Sequence, residues 1–303
     1  MGDDNRGRAQ EGSHMSDFEL VWDSRCGVAE SPVWDSARRR LLFCDINGKR
    51  INALSIDTGA RESWDFPEVV GSLGLCRSGR LVVAQRHHVV LFDPTSGALT
   101  DLTPKIQEPP TNRLNDGKVG PDGAFWIGSM DENSPRQKVA ALYRVTADGQ
   151  VSKQEEGLAV SNGLAWSPNG RIMYHSDSTA GIIQAWDFNP VTGERDNHRI
   201  LAKLTNDDGR PDGAATDFDG NYWSAGPSAG CLNCFSPAGT LLRKWQFPVP
   251  GPTMPCFADG GLYVTSLREG KSAEVLAEFP TLGGLFRARA PAAGVRVGLF
   301  ADQ

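Results

Sequence analysis

The chain has 303 residues, of which 39% are hydrophobic and 22% are charged, a balance typical of a globular protein with a sizeable buried core. Its formal net charge of −6 and sequence pI of about 5.4 give no basic field that could hold phosphate backbones, so we expect no nucleic-acid partner. The longest apolar runs, 41–44 and 88–92, are far shorter than the about 20 residues of a membrane-spanning helix, and we expect no membrane partner.

The amino-terminal stretch contains the letters GSHM at residues 12–15, which resemble the scar of a cleaved affinity tag. We interpret residues 1–14 as an expression-tag remnant, Met15 as the natural start and residues 15–303 as one domain. No secretion signal follows Met15, so we expect a cytoplasmic protein whose six cysteines are reduced. Two of them form a C-x-x-C at 231–234, but no second pair or nearby histidine completes a zinc set.

A turn followed by a short apolar strand recurs along the chain at intervals of about 40 to 50 residues. The six copies occupy residues 36–46, 77–85, 121–129, 168–178, 218–226 and 258–266. A second motif, a strand that runs into another turn, alternates with the first and also occurs six times. The Asp-Gly, Asn-Gly and Ser-Gly pairs of the first turn favour tight hairpins, because such turns need positive φ at their central residues.

This alternation predicts an all-β, six-bladed β-propeller, in which each repeat supplies about four strands around a central axis. Helical periodicity is limited to a hint at 270–280, so the crossover helices of a parallel α/β fold are missing. A β-sandwich would need fewer strands than these repeats provide. We also expect the first and last repeats to share one blade, because closing the ring removes exposed sheet edges.

Polar residues recur at one position of this repeat. Counting back seven residues from the Asp or Asn of the first turn gives Asn115, Asn162 and Asp212 in three repeats. In the first repeat, where the turn is longer, the corresponding strand entry carries Glu30. Equal phase in a repeat means an equal position in each blade, and the innermost strands begin at the mouth of the central channel. We therefore expect these side chains to converge from four blades.

A divalent cation would satisfy such a group, since facing carboxylates and amides are costly to desolvate and like charges resist sharing a site. Ligands that are all oxygen favour Ca²⁺ first, with Mg²⁺ or Mn²⁺ as alternatives. Zn²⁺ or Fe²⁺ stays open if the site keeps a free coordination position, although no His or Cys is aligned with it. The competing interpretation is that each Asn or Asp caps a turn, which accounts for the residues singly but not for their shared phase.

Four ordered motifs make the sequence resemble a known family. They are ESPVW at 30–34, NRLNDGKV at 112–119, SNGLAWS at 161–167 and PDG at 211–213. In this order and at these distances they resemble the gluconolactonase and senescence-marker-protein (regucalcin) family of six-bladed propellers, from about Cys26 to Gly284. The resemblance implies metal-dependent hydrolysis of a sugar-derived lactone.

The resemblance also implies roles for individual residues. By it, the metal ligands are Glu30, Asn162 and Asp212. The ion would polarise the ring carbonyl and lower the pKa of a water, whose proton Asp212, or alternatively Glu30, would accept. Arg113 and Asn115 would bind lactone hydroxyls or ring oxygens, and the guanidinium could steady the developing charge.

Two further acidic residues are assigned to substrate binding on the same grounds. Asp116 is adjacent to the Arg-x-Asn pair, and Glu132 lies beside Asn133, where some family members place an acidic substrate contact. The family usually has Gly where this chain has Ala29. These departures leave the pocket shape and the sugar open, with glucono-, xylono- and arabinonolactone as candidate substrates.

Other functions also stay open: a phosphotriesterase-type hydrolase on the same metal site, or a non-catalytic metal-binding scaffold. The GPSAG at 226–230 matches the nucleophile elbow of α/β-hydrolases, but its flanks predict strands, so we expect an inter-strand turn. We interpret His175 as a structural residue rather than a base. The polar segments 131–140 and 205–211 are candidate loops over the channel mouth, and we expect a monomer or weak dimer.

Overall fold

The computed structural model describes residues 17–303. The interpretation of residues 1–14 as a tag remnant therefore lies outside the described residues. The described part of the chain forms six four-stranded antiparallel sheets, which are the blades of a β-propeller. The predicted fold class is confirmed.

Each of the first five blades is made of four consecutive strands. An outer strand, β1 (Glu19–Trp22), precedes them. Blade 1 consists of β2 (Ala29–Asp35), β3 (Arg40–Asp45), β4 (Arg50–Ser55) and β5 (Arg61–Asp65). Blade 2 consists of β6 (Ser72–Leu75), β7 (Leu81–Ala84), β8 (Val89–Phe92) and β9 (Leu99–Asp101). Blade 3 consists of β10 (Asn112–Val119), β11 (Phe125–Asp131), β12 (Ala140–Val145) and β13 (Val151–Leu158).

The second half of the ring repeats the same arrangement. Blade 4 consists of β14 (Ser161–Trp166), β15 (Ile172–Asp177), β16 (Ile182–Phe188) and β17 (Arg195–Lys203). Blade 5 consists of β18 (Ala214–Thr216), β19 (Tyr222–Gly226), β20 (Cys231–Phe235) and β21 (Leu241–Gln246). Blade 6 contains β22 (Pro252–Ala258), β23 (Gly261–Ser266) and, after the short helix α1 (Ala273–Glu278), β24 (Leu285–Arg289).

The ring is closed by the two ends of the described chain. Strand β1 pairs antiparallel with β24, with Glu19 opposite Arg287, and so supplies the outermost strand of blade 6. The expectation that the first and last repeats share a blade is correct. Closure leaves no inner sheet edge available for pairing with another chain.

Apolar side chains fill the spaces between neighbouring blades. Between blades 3 and 4, the rings of Trp126, Trp166 and Phe188 meet edge to face, with centroids 5.6 to 6.3 Å apart. The innermost strands are buried along most of their length, whereas outer strands such as β9 are exposed. This decrease in burial from the first to the fourth strand shows that the first strand of each blade faces the channel.

A segment that the repeat pattern did not predict crosses one end of the ring. Between residues 290 and 303, the backbone N–H of Val295 donates to Thr216 in blade 5, that of Gly298 to Val119 in blade 3, and that of Phe300 to Leu75 in blade 2, at 2.8 to 3.2 Å. We call this segment, 290–303, the carboxy-terminal strap. No helix among residues 17–303 has the length and apolar composition needed to traverse a membrane.

Candidate functional site

A cavity of about 360 Å³ opens at the end of the channel away from the strap. It is lined by Glu30 on β2, Asn115 on β10, Asn162 on β14 and Asp212, which lies two residues before β18. The structure thus places these four phase-related residues, from four blades, on one cavity. A volume of this size is within the usual range of about 300 to 1,000 Å³ for small-molecule sites.

Local irregularities in the inner strands aim these side chains into the channel. The pairing register shifts directly after Glu30 in β2, directly after Asn162 in β14, and across Asn115 in β10. Ser31 and Gly163, the residues that follow the first two, have positive φ of 52° and 69°. A β-bulge bends its strand and re-aims a side chain, so the repeated bulge explains why polar residues face inward at the same phase in different blades.

A chain of hydrogen bonds links four of the predicted site residues across blades 3, 4 and 5. The Arg113 guanidinium donates through Nη1 to Oδ1 of Asn115 at 2.7 Å. Asn115 donates through Nδ2 to Oδ1 of Asn162, and Asn162 donates through Nδ2 to Oδ1 of Asp212, both at 2.9 Å. The chain therefore runs from a cation to a carboxylate, and it gives both amides a defined orientation.

Three carboxyl groups line the cavity with few partners of their own. Oε1 of Glu30 and Oδ1 of Asp116 are buried without a hydrogen-bond donor. The other oxygen of Glu30 accepts from Ser31 N at 2.6 Å, and that of Asp116 accepts from Leu164 N at 3.1 Å. Buried polar atoms without protein partners are uncommon, so these two oxygens are available to a ligand, an ion or a water.

Burial and mutual repulsion perturb these carboxyls strongly. Burial raises the pKa of Asp212 to about 8, and the charge of Asp116 adds to the shift. Burial likewise raises the pKa of Glu30 well above its usual range, with the charges of Asp212 and Asp116 contributing. A bound cation would offset both effects and favour the ionised forms of these carboxyls.

Lys118 is a buried cation below the cavity that the sequence analysis did not single out; it does not line the cavity, but its charge acts on the carboxyls of Glu30 and Asp116. It lies on β10 two residues after Asp116, and its Nζ donates to the backbone oxygen of Ala214 at 2.5 Å. Burial lowers the pKa of Lys118, while the charge of Asp116 opposes that shift. The sequence signal for this residue was a lysine within a predicted inner strand. A cation buried so close to the channel axis needs a negative charge or a hydrogen-bond acceptor beside it.

The structure places Glu132 beside Arg113 rather than on the cavity wall. Its Oε1 lies 3.4 Å from Nε of Arg113, and its Oε2 accepts from Nη1 of Arg86 at 2.7 Å. Among the described residues that line the cavity, Glu132 is absent, whereas Arg113 and Asp116 are present. A contact between Glu132 and a ligand would therefore be indirect, through Arg113.

Two of the rejected signals behave as the sequence analysis expected. Residues 226–230 connect strands β19 and β20, and Ser228 Oγ accepts from the backbone N–H of Arg210 at 2.8 Å. His175 is buried, with Nε2 lying 2.7 Å from Oγ of Ser161 and Nδ1 lying 3.1 Å from Nε2 of Gln184. His175 is not among the described residues that line the cavity.

Comparison with known proteins supports this arrangement of fold and motifs. A sequence model of the family described as SMP-30/Gluconolactonase/LRE-like region matches residues 28–268. The chain belongs to this family. One similar protein is 6-deoxy-6-sulfogluconolactonase of Pseudomonas putida, which is 35% identical over 90% of this chain and 95% of the relative. L-arabinolactonase of Azospirillum brasilense is 34% identical over 93% of this chain and 95% of the relative. Regucalcin of Danio rerio is 33% identical over 89% of this chain and 92% of the relative.

Two solved structures share the fold of this chain. A calcium-binding protein, regucalcin, from Agrobacterium tumefaciens superposes with a TM-score of 0.87 at 23% identity, over 93% of this chain and 96% of the other. A luciferin-regenerating enzyme superposes with a TM-score of 0.83 at 26% identity, over 93% and 99%. The family resemblance found from the four motifs is confirmed.

Proposed function

We propose that the protein hydrolyses a sugar-derived lactone to the corresponding aldonic acid with the help of one divalent metal ion. The observation that carries the proposal is the meeting of Glu30, Asn162, Asp212 and Arg113 on one cavity of about 360 Å³. Two of the relatives are named as lactonases of sugar acids, which supports the same reaction here. The candidate substrates are glucono-, xylono- and arabinonolactone.

The donor groups of the cavity suit a hard cation. Glu30 offers an unpartnered carboxylate oxygen, and Asp212 offers a second carboxylate whose ionised form a cation would favour. Among residues 17–303, no three His, Cys, Asp or Glu side chains form a group that could hold an ion, and we assign the amide oxygen of Asn162 as the third protein ligand. Oxygen donors of this mixed kind favour Ca²⁺ first, with Mg²⁺, Mn²⁺, Zn²⁺ or Fe²⁺ as alternatives.

Asn162 can serve as that amide only after a change of orientation. Its Nδ2, rather than its oxygen, faces Asp212, and the same nitrogen donates to Ser178 Oγ at 2.7 Å. Turning the amide would present the oxygen to a cation and would exchange these two hydrogen bonds for one coordination bond. Asn115 donates to the oxygen of Asn162 and would have to adjust with it.

Within the reaction, a bound divalent ion would supply Lewis acidity toward the lactone carbonyl and the attacking water. Asp212 would accept the proton of that water as its oxygen adds to the carbonyl carbon. The ring C–O bond then breaks, the ring oxygen takes the proton held by Asp212 to become a hydroxyl, and the acid product releases its own proton to solvent to become a carboxylate.

Arg113 and Asn115 are the proposed substrate-binding pair. Both line the cavity, and the guanidinium is fixed by bonds to Asn115 and to the backbone oxygen of Leu114 at 3.0 Å. A fixed guanidinium loses little freedom when it binds lactone hydroxyls, and it can stabilise negative charge that develops on the carbonyl oxygen. Asp116 would accept a hydrogen bond from a lactone hydroxyl at the floor of the cavity. Glu132 would hold Arg113 in position.

The proposal is tested by acid release from fresh gluconolactone, xylonolactone and arabinonolactone in a pH-indicator assay. Protein stripped with a chelator receives Ca²⁺, Mg²⁺, Mn²⁺, Zn²⁺ or Fe²⁺ in turn, and the spontaneous rate is subtracted. We expect hydrolysis that depends on added metal. Turnover of a phosphotriester with no lactone hydrolysed by any metal form would overturn the proposal.

A further inference from the structure

Three cationic side chains from three separate loops stand around the mouth of the cavity. Arg136 belongs to the connection between β11 and β12, Arg210 to that between β17 and β18, and Lys271 to that between β23 and α1. Arg136 and Arg210 are exposed and Lys271 is half-buried, whereas the carboxyls of Glu30 and Asp116 are buried deeper. The cavity therefore has an acidic floor and a cationic rim.

None of these three cations has a carboxylate partner within 4 Å in the described part of the chain. Arg136 donates from Nε to the backbone oxygen of Asp131 at 3.1 Å, while the Asp131 carboxylate is occupied by backbone N–H groups of its own loop. By contrast, Arg113 lies 3.4 Å from a carboxylate oxygen of Glu132. Backbone hydrogen bonds and then the charge of Arg136 lower the pKa of Asp131, so Arg136 has a carboxylate nearby, and the rim charge without one among the described contacts is that of Arg210 and Lys271.

The position of these charges shows that they act on the cavity rather than on bulk solvent alone. Arg136, Arg210 and Lys271 line the same cavity as Glu30 and Asp212, so their side chains face the space that a ligand would occupy. Burial lowers the pKa of Lys271, with no charged neighbour contributing. A partly desolvated ammonium without a counter-ion is unfavourable, and a bound anion would offset that cost.

We infer that the lactone taken by this site carries an anionic group, such as a carboxylate, sulfonate or phosphate, at the end of the molecule remote from the lactone carbonyl. This inference rests on the proposed function. The carbonyl end would lie over Glu30 and Asp212, and the anionic end would lie at the rim between Arg210 and Lys271.

The test compares matched substrates that differ in one group. The substrates are glucono-1,5-lactone and three analogues with a carboxylate, a sulfonate or a phosphate at carbon 6. We expect at least one anionic lactone to exceed the neutral lactone by about tenfold or more in kcat/KM at low salt, the usual effect of a hydrogen bond to a charged group. The analogue that is preferred distinguishes the three anion chemistries.

Variants assign the preference to the rim. In Lys271→Met and Arg210→Gln, we expect the ratio of anionic to neutral kcat/KM to fall by about tenfold, because the charge is removed and the apolar stem is kept. Arg289→Gln is the matched control, since Arg289 is exposed on β24 and does not line the cavity. Equal kcat/KM for neutral and anionic lactones in the parent protein, or an unchanged ratio in both variants, would overturn the inference.

Binding of the product acids separates this inference from the lactonase proposal. Calorimetric titration of the parent protein with gluconate and with 6-phosphogluconate, glucarate and 6-sulfogluconate needs no turnover. If no lactone is hydrolysed but a dianion binds about tenfold more tightly than gluconate, and Lys271→Met removes the difference, the proposed reaction fails while anion recognition stands. Equal binding of all four acids overturns the inference whether or not lactones are hydrolysed.

Discussion

Nδ2 of Asn162 on blade 4 donates a hydrogen bond to Oδ1 of Asp212 on blade 5 at 2.9 Å, across 50 positions of the chain. The bond occupies the position between a proposed amide ligand and a proposed carboxylate ligand. A cation that bound both side chains would replace it, so we expect the amide of Asn162 to turn when an ion binds. Such an exchange would give ion binding an effect on the stability of the two neighbouring blades.

The first prediction concerns Asn162→Asp. An Asp at this position faces Asp212 with like charge, so we expect a lower melting temperature without metal. It also supplies an oxygen in either orientation, so we expect a larger stabilisation by Ca²⁺ than in the parent protein, where 100-fold excess over Kd contributes about 2.7 kcal/mol. Thermal unfolding with and without Ca²⁺ measures both. Asn189→Asp, at an exposed turn, is the control, and an identical Ca²⁺ shift in all three proteins would contradict the prediction.

The second prediction is that Asp212→Asn abolishes turnover while the propeller stays folded. Loss of a general base costs about 10² to 10⁴ in kcat, and loss of a ligand charge weakens ion binding as well. Stability without metal should be equal or higher, because burial makes the Asp212 carboxylate unfavourable and raises its pKa to about 8. Lactonase kinetics, ion titration and circular dichroism check these points, with exposed Asp219→Asn as the control. Full activity in Asp212→Asn would remove it from the site.

The third prediction separates substrate binding from ion binding at Arg113. Arg113→Met keeps most of the buried stem but removes the donors to Asn115 and the contact with Glu132. We expect kcat/KM for the lactone to fall by about 10- to 100-fold while Ca²⁺ affinity changes by less than about threefold. Steady-state kinetics and calorimetry measure the two effects. Loss of Ca²⁺ binding comparable to that of Asp212→Asn would show that Arg113 supports the ion instead.

The fourth prediction tests the carboxy-terminal strap. Phe300 is fully buried among side chains of blades 2 and 3, and its backbone is bonded to Leu75 and Arg77. Phe300→Ala should lower the free energy of unfolding by about 3 to 5 kcal/mol, the usual cost of deleting a buried ring. Leu299→Ala, at a side chain that is 47% exposed, should change it by less than about 0.5 kcal/mol. Urea denaturation of both variants decides between a packed strap and a loosely attached one.

The fifth prediction concerns acid stability and His175. Burial, with the charge of Arg195 adding, lowers the pKa of His175 from 6.5 to about 3, so the folded protein holds the ring neutral. The unfolded chain takes up a proton below pH 6.5, so this contribution to stability is complete above pH 6.5 and is lost as the pH falls toward 3. Gln184, which contacts the ring, also donates a hydrogen bond to Glu155. Arg195 and Glu155 are the charged residues near the imidazole among the described contacts.

The slope of this loss approaches about 1.4 kcal/mol per pH unit well below pH 6.5. In His175→Gln, unfolding free energies between pH 6.5 and 5 should therefore depend less on pH than in the parent protein, a window above most carboxyl titrations. His87→Gln, outside this buried network, serves as the control. An unchanged pH dependence in His175→Gln would contradict the prediction, because it would mean that His175 has the same pKa in the folded and unfolded states.

Much of the fold could be predicted because its signals are local. Each hairpin is encoded by a turn pair such as Asp122–Gly123 and by the apolar strand that follows, and six repetitions define the blades without any knowledge of contacts. The common phase of Asn115, Asn162 and Asp212 in turn placed them on one cavity, because equivalent positions in a closed ring face the same channel. The resemblance to the family then assigned their roles.

The remaining features depend on contacts between distant segments, and only the tertiary structure decided them. The carboxy-terminal strap carries no repeat signal, and its place across the ring is set by packing of Phe300 and by backbone bonds to separate blades. Lys118 meets Ala214 across 96 positions, and the cations of the rim come together because three loops of unrelated sequence end above one channel. Local sequence determines strands and turns through short-range sterics and hydrogen bonds. Whether a rim cation lacks a carboxylate partner, and which way the amide of Asn162 points, depend instead on the groups that the closed ring places opposite each side chain.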